Sequence, residues 1–262
     1  VDKDFFIWEK VDRNVLHFVK EKNKTSKKKE KRGLSPKNGG QGKKFFTNSQ
    51  FLLKRRKRYD IIRSMEEKTP DFALLRAKIQ QKKQLFERFY ALLVEYNAKF
   101  NLTAITEKEE VFHKHFLDCV AGEGLLPPSS NVVEIGSGAG FPSIPLKIIR
   151  DDLKMTLVES TGKKCVFLTT VVEALELKNV EVVNARAEGL GKKEEYRERF
   201  DCVIARAVAP LSSLAEYCMP LIRKGGSFIA WKGSVDEVEN ARHALTLLGG
   251  GKTQSIGYEL PS

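Results

Sequence analysis

The chain has 262 residues, a net charge of +12 and 41% hydrophobic residues, enough for one ordinary domain with an appendage or two small domains. No stretch approaches the roughly 20 apolar residues that cross a bilayer. The four cysteines, Cys119, Cys165, Cys202 and Cys218, form no C-x-x-C pair, which argues against a zinc site or disulfide framework and for buried thiols in a reducing cytoplasm.

The charge is uneven along the chain. Residues 1–64 hold 20 Lys+Arg against 7 Asp+Glu, while residues 65–262 hold 26 against 27. An electrostatic argument for nucleic-acid binding therefore applies to the first quarter alone. Residues 1–64 read as a basic, disordered extension, with a lysine-rich run from Lys20 and a dense cluster at Lys54-Arg55-Arg56-Lys57-Arg58. The run holds too few apolar groups to offset the entropy of ordering. It reads equally as an arm for RNA phosphates or as a solvated tail. The first methionine is Met65, and we expect the native protein to start near it.

Residues 65–128 are expected to form a helical subdomain. Leu74, Leu75, Ile79, Leu85, Phe86, Phe89, Leu92, Leu93 and Tyr96 recur at helical spacing. Val111, Phe112, His115, Phe116 and Cys119 continue a similar stripe. The aromatics could stack bases, but at this spacing they read as core. His113 and His115 lie two apart, on different faces of a helix, with no cluster to complete a ligand set, so no metal is expected.

After Pro127-Pro128 the sequence alternates. Strands are predicted at 132–135, 156–159, 180–183, 200–204, 226–231 and 253–260, with helices at 144–149, 164–175, 211–221 and 235–248. Residues 129–262 should therefore be an α/β domain, a doubly wound, mostly parallel sheet covered on both faces.

The central motif is Glu134-Ile135-Gly136-Ser137-Gly138-Ala139-Gly140-Phe141-Pro142, where a first strand meets a first helix. Glycines there let the backbone turn tightly and approach a nucleotide-like ligand. The spacing is not that of a dinucleotide site, whose third glycine would fall at Phe141, and no Gly-Lys-Ser/Thr follows. An acid before the first glycine opposes a pyrophosphate and suits a ligand with an amino group and a sulfonium. Glu159 ends the second strand, 19 residues after Gly140, where a carboxylate can accept both ribose hydroxyls of an adenosine. Asn184 to Glu188 follow the third strand at the same sheet edge. Taken alone Glu159 would be an ordinary surface acid; with the glycine turn it completes an adenosine pocket.

These features are those of the S-adenosylmethionine (AdoMet) methyltransferase fold, which is Rossmann-like. With Asn101-Leu102-Thr103, His115-Phe116-Leu117-Asp118, Lys163-Lys164, Arg186-Ala187-Glu188, Arg206-Ala207 and Trp231-Lys232-Gly233, the chain from about Asp71 onward resembles the ribosomal small-subunit methyltransferase G family, also called glucose-inhibited division protein B. The resemblance implies an AdoMet-dependent enzyme that methylates guanine N7 in small-subunit (16S) ribosomal RNA. It implies that Gly136, Gly138, Phe141 and Glu159 bind the cofactor, that Ala187 and Glu188 contact the adenine region, and that Arg206 sits between cofactor and substrate. Ser143 stands where the family commonly has glycine, and Cys119 where it has serine. The resemblance implies a further apolar strand at the end; this sequence stops at Pro261-Ser262, so either the chain is truncated or the final hairpin is expected to be missing.

Guanine N7 offers a lone pair and has no proton to lose, so methyl transfer needs no general base and rests on positioning and desolvation. Arg206, Arg186, Lys232 and His115 are candidates to hold RNA phosphate or the guanine O6 edge. Arg206 comes first as the catalytic candidate, against a reading of it as a structural ion pair. The expected partner is small-subunit rRNA or its ribonucleoprotein, met in the cytoplasm by a monomer that needs neither metal nor membrane. Two other readings are an AdoMet methyltransferase for a protein or small molecule, and a non-catalytic RNA-binding protein working through the basic arm.

Overall fold

The computed structural model describes residues 3–10, 69–206, 208–232 and 236–261. Two helices open the patterned region, α1 (Phe72–Gln81) and α2 (Lys83–Phe100). The Asp71 side chain caps α1, accepting from the Leu74 N–H at 3.1 Å. Asn101 ends α2 in the left-handed conformation, φ +51°, and turns the chain into Leu102 and Thr103. A helical run α3 covers 108–120 and is π-wound across Val111–Leu117. Phe86 and Phe89 of α2 meet Phe116 of α3 at ring-centroid distances of 5.1 and 5.3 Å, and all three are buried. The aromatic stripe is therefore core.

The sheet alternates with helices as the hydrophobic pattern predicts. Its strands are β1 (Lys3–Lys10), β2 (Asn131–Ile135), β3 (Lys154–Glu159), β4 (Val180–Asn184), β5 (Phe200–Arg206), β6 (Ile222–Lys232) and β7 (Gly250–Tyr258). Between them run α4 (Ser143–Ile149), α5 (Gly162–Ala174), α6 (Ala187–Leu190), α7 (Leu211–Cys218) and α8 (Asp236–Leu247). The strand order is β4-β3-β2-β5-β6-β1-β7. Strands β2 to β6 pair in parallel. β2 and β3 are buried along almost their whole length, and the edge strand β4 much less. Two covered faces demand continuous apolar runs, whereas an edge does not. The order reverses between β2 and β5, which opens a crevice at their carboxyl ends.

Residues 3–10 correct the expectation of a disordered extension over 1–64. β1 pairs antiparallel with both β6 and β7, setting Phe5 beside Trp231 and Ile256. It lies between β6 and β7 in the sheet. Its alternation puts Phe5 and Ile7 at 1% and 3% exposure. Phe5 stacks on Tyr258 at 4.5 Å and meets Trp231 edge-on at 5.0 Å. Burial of Phe5 and Ile7 and hydrogen-bonded pairing on both edges together oppose the entropy of ordering the strand. The rest of the basic segment, residues 11–68 with the cluster at 54–58, lies outside the described residues. No helix among the described residues is long and apolar enough to cross a membrane.

Candidate active site

A cavity of about 450 Å³ opens at the carboxyl ends of β2, β3 and β5, a volume ordinary for a small-molecule site. The turn after β2 forms its floor. Gly136, Gly138 and Gly140 have φ of +74°, +54° and +82°, which L side chains rarely adopt. A Cβ on Gly136 would lie 2.7 Å from Val208, whereas one on Gly138 would meet nothing nearer than 3.8 Å. The chain thus packs under the first glycine and leaves open space above the second. The Gly136 and Ser137 N–H groups donate to the Val158 carbonyl at 2.9 and 3.0 Å, which anchors the turn to β3.

Glu159, at the end of β3, lines the same cavity. One carboxylate oxygen accepts from the Gly138 N–H at 2.9 Å and the other from the Thr161 N–H at 2.8 Å. A third, longer contact comes from Ser160 Oγ at 3.5 Å; a carboxylate has about four lone-pair sites, so this one retains capacity for a further hydroxyl donor. Ala185 N–H donates to the Glu159 carbonyl at 3.1 Å, placing the loop after β4 beside it. Glu134, read as an acid facing the ligand, is instead fully buried beneath the turn, and its carboxyl oxygens have no hydrogen-bond partner there. Burial pushes its carboxyl up to about 8, against the smaller opposing pull of Ser143, Ser137 and the Arg206 charge. The two hydroxyls lie near it but outside hydrogen-bonding geometry.

Arg206 closes the other side. It ends β5 and reaches across to α3, where its Nη1 donates to Cys119 Sγ at 2.9 Å. Its Nη2 lies 3.3 Å from the Lys114 carbonyl, 3.1 Å from His115 Nδ1 and 3.2 Å from Asp118 Oδ2. Lys114 lies within the π-wound stretch, a feature common at functional sites. An arginine only donates, so His115 Nδ1 accepts and the ring proton sits on Nε2. That nitrogen then donates to Thr103 Oγ1 at 3.0 Å. The His115 ring packs on Phe141 at 4.6 Å, and the guanidinium lies 5.8 Å from the same ring. Arg206 is thus an ion-pair partner of Asp118 that also lines the cavity. Cys119 offers the guanidinium an acceptor where the resemblance has serine.

Gly136, Gly138, Phe141, Glu159, His115 and Arg206 thus come together at one cavity. Arg186, Ala187 and Glu188 do not line it. Arg186 and Glu188 are exposed, and Ala187 packs against the core behind β4. Lys232, expected to hold substrate, is put to another use. Its ammonium donates to the Ala209 carbonyl at 2.8 Å and to Glu237 at 2.7 Å, with 9% of the side chain exposed. Glu237 in turn accepts from the Leu211 N–H at the start of α7, so Lys232 fastens the loop after β5. Sequence reasoning missed Thr161, Lys164 and Val208, which also line the cavity. Lys164 stood in a quoted motif; nothing local marks Val208.

The model of the family described as rRNA small subunit methyltransferase G matches residues 82–256. A Ribosomal RNA small subunit methyltransferase G from Staphylococcus saprophyticus is 50% identical over 185 residues, which cover 69% of this chain and 77% of that one. Another of that name from Bacillus thuringiensis is 48% identical over 180 residues, covering 67% and 75%. With the match running from α2 through the glycine turn to most of β7, this chain belongs to the rRNA small subunit methyltransferase G family.

Proposed function

We propose that this cavity holds AdoMet and presents its methyl group to N7 of a guanine in small-subunit (16S) rRNA. The supporting observation is the convergence of an open glycine turn, a carboxylate with spare acceptor capacity and a desolvated arginine in one space of about 450 Å³. Gly136 and Gly138 let the backbone approach the methionine portion. Glu159 receives the ribose hydroxyls, and the adenine extends out of the cavity towards the loop after β4 that carries Ala187 and Glu188. When bound, the cofactor supplies an electrophilic methyl on a positively charged sulfur.

The chain's own residues then have to bind, orient and exclude water. Guanine N7 needs no deprotonation, and His115, with both ring nitrogens engaged, is suited to shaping the wall rather than to abstracting a proton. Phe141 gives the target base an apolar face beside His115. Arg206 stands where cofactor and base meet, and Arg186, exposed at the same edge, is available to RNA phosphate. Four buried free thiols suit the reducing cytoplasm in which we place the reaction.

The test is transfer of tritiated methyl from AdoMet to small-subunit RNA, followed by mapping of the modified atom. We expect label at one guanine N7. Label on a protein or small molecule, or on another base atom, would overturn the proposal.

A further inference from the structure

The Arg206 guanidinium is always charged, and it lines a cavity that, on the reading above, receives a sulfonium cation. Like charges in a partly desolvated cleft repel. Behind the guanidinium the fold sets a carboxylate, with Asp118 Oδ2 3.2 Å from Nη2 and only 2% of the Asp118 side chain exposed. Asp118 is held in turn by two long-range contacts. The Tyr258 hydroxyl donates to Oδ1 at 2.8 Å, and the Trp231 indole N–H donates to the Asp118 carbonyl at 3.2 Å. Phe5 of β1 packs on both aromatic rings. The other buried acid within reach of Arg206, Glu134, keeps its proton up to about 8. Asp118, in contact with the guanidinium, is therefore the counter-charge that the fold sets behind this cation.

We propose that Asp118, oriented by Tyr258, is a positioning residue that neutralises Arg206 so that the cavity accepts a positively charged methyl donor. The inference rests on the cofactor reading and goes beyond it, because it assigns a charge-selecting role to two residues that do not line the cavity. Without Asp118 the cavity would favour the uncharged thioether left after methyl transfer, S-adenosylhomocysteine, over the sulfonium.

The two molecules differ by the methyl and its charge, so the ratio of their dissociation constants isolates the charge effect. Calorimetry on the full chain is expected to show Asp118→Asn raising the AdoMet to S-adenosylhomocysteine ratio about tenfold, the effect of one unit charge about 10 Å away at an effective dielectric of about 20. Arg206→Met should move the ratio the opposite way by a similar factor. The double variant should return it to within about threefold of the original. Tyr258→Phe should move it in the direction of Asp118→Asn, by less. Equal weakening of both ligands in the single variants, with no opposed shifts, would mean a merely structural role and overturn the proposal. If Asp118→Asn does not fold, the sign of the Arg206→Met shift decides. Binding of neither ligand by the unaltered chain would refute the cofactor reading itself, an outcome distinct from an unchanged ratio.

Discussion

The cavity has two walls built in opposite ways. The glycine turn is local. Residues 136–140 are consecutive, the positive φ values fall on the three glycines among them, and their main anchor is the adjacent strand. The Arg206 wall draws on separated segments: β5 for the arginine, α3 for its partners, β7 for Tyr258 and β6 for Trp231. The turn depends on backbone freedom at a few positions, whereas the arginine wall depends on the whole sheet closing correctly, β1 included. Damage to the first should therefore appear as lost ligand binding, and damage to the second first as lost stability or altered selectivity.

The largest effect should come from the turn. Gly136→Arg places a Cβ 2.7 Å from Val208 at φ +74° and fills the floor, so AdoMet affinity should fall by more than about 100-fold, roughly 3 kcal/mol or more. Calorimetry that found the affinity unchanged would remove the turn from the site.

On the opposite wall, Phe5→Ala removes a fully buried ring that packs on Tyr258 and Trp231. We expect a loss of about 3–5 kcal/mol in urea unfolding, with AdoMet still bound by the folded fraction. A loss below about 1 kcal/mol would show that β1 is dispensable and that the two walls differ less than the structure implies.

Glu159→Gln bridges the comparison, because Glu159 both accepts from the turn and lines the cavity. Losing charge-assisted hydrogen bonds worth about 1.5–3 kcal/mol should weaken AdoMet by about 10- to 100-fold, a loss visible by calorimetry as clearly as for the turn. An affinity within about twofold would place the ribose elsewhere.

Glu134 beneath the turn gives an effect that is spread over several pH units. Its folded value, raised to about 8 from the ordinary 4.5, means that the native state holds a proton that the unfolded chain has released. Stability is then fully present below about 4.5, declines as pH rises towards about 8, and loses nothing more above that. The decline should approach about 1 kcal/mol per pH unit. Glu134→Gln should flatten the profile across that window; an equally steep slope in the variant would assign the dependence to another group.

The smallest effect should be that of Lys232→Ala. It releases the Ala209 carbonyl and Glu237, which is itself 39% exposed, so a loss of about 1 kcal/mol is expected with AdoMet affinity retained. RNA binding that weakened while stability stayed constant would return Lys232 to the substrate.

What the sequence by itself determined is whatever depends on neighbours along the chain. The alternating strands and helices, the glycine turn and the acid ending β3 were legible because periodicity and backbone permissiveness are properties of short windows. The family resemblance rested on such windows too, and it pointed to Arg206 and His115. What only the tertiary structure decided is pairing across distance. The strand character of Phe5 and Ile7 was obscured by the charged residues that follow them, because a short strand is stabilised by partners far away, here β6 and β7. The fates of Lys232 and Glu134, and the seat of Asp118 behind Arg206, were likewise unreadable. Whether a charge meets solvent, ligand or a counter-charge is set by which elements fold over it, and no local spacing records that.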